Sequence, residues 1–230
     1  MDSMYTRTSL VLGEKGLEDV KKSNVLIFGT GGVGSYAAEA LVRSGVGNIT
    51  IVDFDDVDVT NINRQLPALH STVGMRKVDI LKDRYKDINP ELEIEAVALK
   101  LDESTIDKFD LKKYDYVIDA IDMISSKLLL IEACHRDDVR IISSMGMGFR
   151  IDPTKVEIMD IFKTSNDPLA RIMRKELRNR NIRKLKVVCS TELPIKTAKE
   201  TGGVTASIAF VPAAAGLAIA STVIREIAGV

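Results

Sequence analysis

Apolar positions fall into two rhythms over the first 150 residues. Short, mostly apolar runs at 24–29, 48–52, 114–119 and 140–144 are each bounded by polar residues or glycine. They have the length and composition of strands buried on both faces. Between them, apolar residues recur three and four apart at 34–44, 74–87 and 125–134, which predicts helices. Asn89-Pro90 ends the second of these. The stretch 92–99 alternates like a strand, and 102–110 predicts a short helix. Strands alternating with helices predict an α/β fold: a Rossmann-like, doubly wound, mostly parallel sheet with helices on both faces. Beyond Gly146 the rhythm changes. Residues 155–161 and 186–190 predict strands flanking a basic helix over 168–180. No repeat or low-complexity linker interrupts the chain, so 1–230 is expected to be one domain with a basic C-terminal excursion.

The first strand and first helix are joined by Gly29-Thr30-Gly31-Gly32-Val33-Gly34-Ser35. Glycines allow a sharp turn and close approach of backbone to a ligand. The helix behind them offers unpaired N–H groups and a positive dipole end to an anion. Gly29, Gly31, Gly32 and Gly34 are therefore candidates for a nucleotide phosphate site. Asp53 lies nineteen positions beyond Gly34 at the end of the second strand, where an acid accepts hydrogen bonds from ribose hydroxyls. Next comes a polar stretch containing Asp55, Asn61 and Arg64, and then Lys77. Hydride transfer has no need of such a group, whereas a triphosphate does. Arg64 suits bidentate bonding to phosphate, Lys77 supplies a point charge, and Asn61 orients phosphate or metal-bound water. Asp119 and Asp122 follow another strand. Asp122 is the expected Mg²⁺ carboxylate, with Asp119 in support.

Charge sharpens the picture. The formal net charge is −1, with 32 Lys/Arg against 33 Asp/Glu. Eleven of those bases and only three of the acids lie between 163 and 199. A basic segment on an acidic body favours a polyanionic partner. At helical spacing Arg171, Arg174, Lys175 and Arg178 share a face, and Arg180 and Arg183 continue the charge. The stretch 201–224 is uncharged and long enough to span a membrane, but its Ala, Gly, Ser and Thr content predicts a closely packed buried helix instead. The start of the chain has no signal-peptide pattern. Two distant cysteines, Cys134 and Cys189, imply no disulfide framework and fit a reducing cytoplasm. Both are expected to be packing residues, and His70 and His135 have no ligand partner by spacing.

Taken in order, the glycine loop with Ser35, Asp53-Phe54-Asp55, Asn61-Ile62-Asn63-Arg64-Gln65, Lys77 and Asp119-Ala120-Ile121-Asp122 resemble the E1-like adenylating enzymes. The resemblance implies ATP-dependent adenylation of a carboxylate. Asp53 would bind ribose, Arg64 and Lys77 phosphates, and Asp122 Mg²⁺. Tyr5-Thr6-Arg7 resembles the family's N-terminal motif, although Met4 replaces its first arginine. Arg7 would then reach the ATP of the second subunit of a homodimer. Members acting on sulfur carriers usually hold zinc in two CxxC pairs, which two cysteines cannot build. The segments Asp152-Pro153-Thr154, Asp160-Ile161-Phe162-Lys163-Thr164, Asp167-Pro168-Leu169 and Val187-Val188-Cys189-Ser190-Thr191-Glu192 resemble the branch acting on tRNA. That branch cyclises N6-threonylcarbamoyladenosine beside the anticodon. Arg171, Arg174, Lys175, Arg178, Arg180 and Arg183 would hold tRNA phosphates, and a sulfur-transfer system is a candidate partner. Two rivals are an adenylyltransferase for a ubiquitin-like sulfur carrier and an NAD-dependent dehydrogenase. A third is a non-catalytic tRNA-binding module.

Overall fold

The apolar run at Asn24–Phe28 becomes β1, a central strand of the sheet. The computed structural model describes residues 4–195 and 205–230. Residues 1–3 and 196–204 lie outside them, and with the latter the end of the basic stretch and the start of the uncharged one. The chain runs α1 (Thr6–Lys22), β1, α2 (Gly34–Ser44), β2 (Asn48–Val52), α3 (Lys77–Ile88), β3 (Glu93–Val97) and β4 (Tyr116–Asp119). It continues with α4 (Ile124–Arg136), β5 (Ile141–Ser144), β6 (Val156–Asp160), α5 (Pro168–Asn179), β7 (Lys186–Ser190) and α6 (Phe210–Ala228).

The seven strands are ordered β3-β2-β1-β4-β5-β7-β6. All pair in parallel except the edge strand β6, which runs antiparallel to β7. The strand order reverses beside β1, between β2 and β4. A ligand crevice belongs beyond the carboxyl ends of the strands at that point, which is where Gly29, Asp53 and Asp119 fall.

Helices cover both faces. On one, α2 packs against α6 and α3, and α6 against α1. Their core holds Leu41, Leu81, Tyr85, Val211 and Ile219, each without exposure. On the other, α5 buries Ala170, Met173 and Leu177 beside α4. The α6 helix is long and apolar enough to cross a membrane by composition, but it packs along α2 and α1. A Cβ at Gly216 would stand 2.4 Å from the Val33 carbonyl and 2.8 Å from the Tyr36 Cβ. Only a residue without a side chain allows the two helices to come so close.

Several predicted elements differ in detail. The helix expected from 74 starts at Lys77, because residue 76 is first used in an antiparallel bridge with Asp56. The short helix expected over 102–110 is replaced by single turns at Ile106–Lys108 and Leu111–Lys113. There Asp102 accepts hydrogen bonds from the Ser104 N–H and from the Ser104 and Thr105 hydroxyls, which compete with a helical ladder. The strand expected to 99 ends at Val97. The last helix begins at Phe210 and runs past 224 to Ala228, carrying Arg225 and Glu226. Glu226 holds that end to the sheet through Lys186 and Tyr116. The N-terminal helix α1 has no counterpart among the predicted elements.

Candidate functional site

A cavity of about 550 Å³ opens at the carboxyl ends of β1, β2 and β4. One wall is the glycine loop. A Cβ at Gly34 would overlap the Gly29 carbonyl oxygen at 1.8 Å, and one at Gly29 would meet the Ala120 carbonyl at 2.5 Å. The loop therefore closes on itself and on the turn after β4, leaving its backbone bare toward the cavity. Gly31 and Gly32 line the same wall. Asp53 holds this loop: its Oδ2 accepts hydrogen bonds from the Thr30 N–H at 2.6 Å and hydroxyl at 2.9 Å. Its Oδ1 accepts from the Asp55 N–H at 2.9 Å. Two carboxylate oxygens offer about four acceptor positions, so lone pairs are left for a ligand.

The polar stretch is a tight turn that brings Arg64 to the cavity wall, where Lys77 of α3 also lies. Asp58 accepts from the Thr60 N–H, and the Asp58 N–H donates to the Asn61 amide oxygen. Asn61 thus builds the turn and does not line the cavity. Its carbonyl also accepts the Arg64 N–H at 3.1 Å. Arg64 does line the cavity, with Nη1 donating to the Thr60 carbonyl and Asn63 side chain. Lys77, 5% exposed, also lines the cavity, with Nζ 2.8 Å from Asp55 Oδ2. The lysine is enclosed and the carboxylate half exposed. Gln65 Oε1 is buried at this wall without a partner among the described residues.

Beyond β4 the two carboxylates separate. Asp119 has no exposure and sits below the cavity floor. It faces Lys127 Nζ at 3.0 Å and accepts from Ser143 Oγ at 2.5 Å and from the Ile121 N–H at 3.1 Å. Lys127 also donates to the Ile121 carbonyl at 2.9 Å. Both backbone groups of Ile121 are therefore clamped, and the next residue, Asp122, is exposed at the cavity rim with no ion-pair partner among the described residues. Of the two carboxylates it is the one open to solvent. No group of three or more His, Cys, Asp and Glu that could hold a metal unaided occurs among the described residues.

The far half of the cavity is formed by the turn after β5, from Met145 to Phe149, and by Asp167-Pro168-Leu169. Asp167 caps α5 by accepting the Ala170 N–H at 3.0 Å, and Pro168 occupies the first helical position. The basic helix therefore starts in the cavity wall. Its outer face presents Arg171, Lys175 and Arg178, with Arg180 and Arg183 exposed beyond it. Arg174 is drawn inward to the Thr164 carbonyl and hydroxyl. Arg178 lies over the Phe162 ring, and Arg180 pairs with Glu132 and Glu176. Arg7 is exposed on α1 and does not line its own chain's cavity.

Neither cysteine is a nucleophile in waiting. Burial, then the Asp167 and Glu157 carboxylates, push the Cys189 thiol up to about 11. Burial, then Asp119 and Asp137, take Cys134 to about 12. They belong to different core clusters and cannot share a metal. Thr30, Lys127 and Arg150 are parts of the site that sequence reasoning missed. The Asp-Pro pair before a helix was the available signal for Asp167.

The ThiF family model matches residues 5–230. The chain is 46% identical to the tRNA threonylcarbamoyladenosine dehydratase of Bacillus subtilis (strain 168), covering 97% of this chain and 94% of that one. It is 41% identical to the protein of the same name from Escherichia coli (strain K12), over 75% of this chain and 64% of the relative. Among solved structures, E. coli tRNA N6-threonylcarbamoyladenosine dehydratase in complex with ATP superposes with a TM-score of 0.91 at 34% identity. That match covers 98% of this chain and 94% of the other.

Proposed function

The chain belongs to the ThiF family, and from that premise we propose that it is an ATP-dependent tRNA threonylcarbamoyladenosine dehydratase. One observation carries the reading furthest: a single cavity joins a phosphate-gripping half to a half whose wall is the first turn of the basic helix. A nucleotide and the end of a polyanion can meet there.

The substrate's threonyl carboxylate is a poor electrophile, because its oxygen is a poor leaving group. ATP bound along the glycine loop would place its ribose at Asp53 and its phosphates between Arg64 and Lys77. One carboxylate oxygen attacks the α-phosphorus, forming a P–O bond as the bond to pyrophosphate breaks. Arg64 and Lys77 neutralise charge as it moves onto the leaving phosphates. The side chain's own nitrogen then attacks the activated carbonyl and loses its proton, and AMP departs. The net change to the nucleoside is loss of one water. Ring closure is intramolecular, so it gains from proximity and needs no protein nucleophile. This agrees with the buried, protonated Cys189.

Asp122 fits Mg²⁺, which commonly takes one or two protein carboxylates and completes its shell with phosphate oxygens and water. When bound, the ion would offset negative charge on the triphosphate. Asn61 would act through the turn that carries Arg64. The outer face of α5, with Arg180 and Arg183, would hold tRNA phosphates. A homodimer would bring Arg7 to the second copy's nucleotide; Leu10 and Val11, 84% and 80% exposed, lie beside it on α1 and fit a covered surface. A cytoplasmic location and a sulfur-transfer partner belong to the same reading.

The test is incubation with ATP and tRNA bearing N6-threonylcarbamoyladenosine, followed by mass analysis of the nucleoside. Loss of one water with formation of AMP is expected. Pyrophosphate exchange stimulated by a carrier protein's C-terminus and not by the modified tRNA would overturn it.

A further inference from the structure

Arg150 and Asp167 form an ion pair at 3.7 Å with side-chain exposures of 2% and 0%. Their other contacts reach in two directions. Arg150 donates from Nη1 to the Gly146 carbonyl, from Nη2 to the Asn166 carbonyl at 3.1 Å, and from Nε to the Glu192 carbonyl at 3.2 Å. Asp167 Oδ2 accepts the Gly146 N–H at 3.0 Å, while Oδ1 caps α5. Both backbone groups of Gly146, in the turn lining the far half of the cavity, are therefore held by the pair. The same pair fixes the residue before α5 and its first turn. No other ion pair among the described residues ties the cavity wall to the basic helix.

We infer that Arg150 and Asp167 are positioning residues that register the basic helix against the substrate half of the cavity. A polyanion gripped on the outer face of α5 is then held at one distance from the reacting centre. The inference rests on the functional reading above and adds a division of labour to it. Exposed cations on α5 supply affinity. The buried pair supplies alignment, which appears only in turnover. Arg150 already serves four carbonyls, those of Gly146, Gly148, Asn166 and Glu192, and a carboxylate, so it has little donor capacity left for substrate. That distinguishes it from Arg64.

Asp167→Asn keeps an oxygen for the Ala170 N–H but removes the charge facing Arg150. Arg150→Lys keeps the charge but not the forked geometry. For each variant, the dissociation constants for ATP and for modified tRNA would be measured alongside the single-turnover rate with both saturating. Circular dichroism and the thermal midpoint would report folding. Both affinities should stay within about twofold of wild type, while the saturated rate falls tenfold or more, since a misplacement near 1 Å can cost about a hundredfold. Wild-type turnover in both folded variants would overturn the inference. So would tRNA affinity falling in step with rate, or both variants failing to fold, because each makes the pair a stability element only. A wild-type protein inactive on the modified tRNA would instead refute the functional reading itself.

Discussion

Lys127 Nζ lies 3.0 Å from the Asp119 carboxylate, and neither side chain has any exposure to solvent. The pair sits directly under the turn that presents Asp122. Removing one member of a buried ion pair leaves an uncompensated charge and typically costs about 3–5 kcal/mol. Lys127→Met should therefore destabilise the fold by that order and weaken ATP binding through the released Ile121. The double variant Asp119→Asn/Lys127→Met should recover much of the stability. Urea denaturation of the three proteins decides this. A Lys127→Met midpoint matching wild type would show that the pair contributes nothing.

Lys77 and Arg64 face the same cavity, but only Lys77 is nearly enclosed. Replacing it by Met should lower the adenylation rate by about 10²–10³, the loss expected when one preorganised donor to developing charge is removed. Asp55→Asn, which frees the lysine without removing it, should cost far less. ATP–pyrophosphate exchange in the presence of modified tRNA measures both. Equal losses would mean that Asp55 meets the nucleotide directly.

On α5 the informative substitutions are Arg171→Glu and Lys175→Glu, both exposed on its outer face. Arg174 is less suitable because it holds Thr164. The double reversal should weaken tRNA binding and reduce the dependence of log affinity on log salt by about 0.9 for each phosphate no longer neutralised. ATP affinity should not change. Parallel loss of both affinities would place these residues in the fold rather than at an RNA surface.

Glu39 links α2 to α3 through Arg84, and along α2 to Arg43. Burial raises its carboxyl, but hydrogen bonds from Arg84 and Arg43 outweigh that and hold it below its ordinary value. A carboxyl lowered in the folded state stabilises fully above its unfolded value of 4.5. The contribution is lost as pH falls through the lower, folded value. Wild type should lose thermal midpoint more steeply than Glu39→Gln below about pH 4.5. Indistinguishable acid limbs would remove the pair from the stability account. Both arginines are partly exposed, so the effect is modest.

Local chemistry explains what could be read from the chain. The boundaries at 34–44, 48–52 and 186–190 match the structure because continuous apolar runs and a glycine cap mark them. Gly31, Gly32, Asp53, Arg64 and Asp122 converge on one cavity because each sits at a strand end or in the turns beyond one, and Lys77 joins them from the first turn of α3. The first helix was illegible for a local reason. Its sequence is polar, and Gly13 leaves helical geometry within it. Lys127 was illegible for a distant one: a lysine on an apolar helix signals nothing until the chain brings Asp119 to it. Arg150 likewise acquires meaning only when four carbonyls from three separate segments close around its guanidinium.

The close seat of α6 against α2 also constrains when the protein becomes competent. Pro212 would be 3.2 Å from a Cβ at Gly32, and Gly216 lies against the Val33 carbonyl, so the glycine loop is braced by residues nearly two hundred positions downstream. During translation that loop leaves the ribosome early and waits, unbraced, until residue 216 follows it. A newly made chain therefore completes this wall of the cavity late, through a single long-range closure.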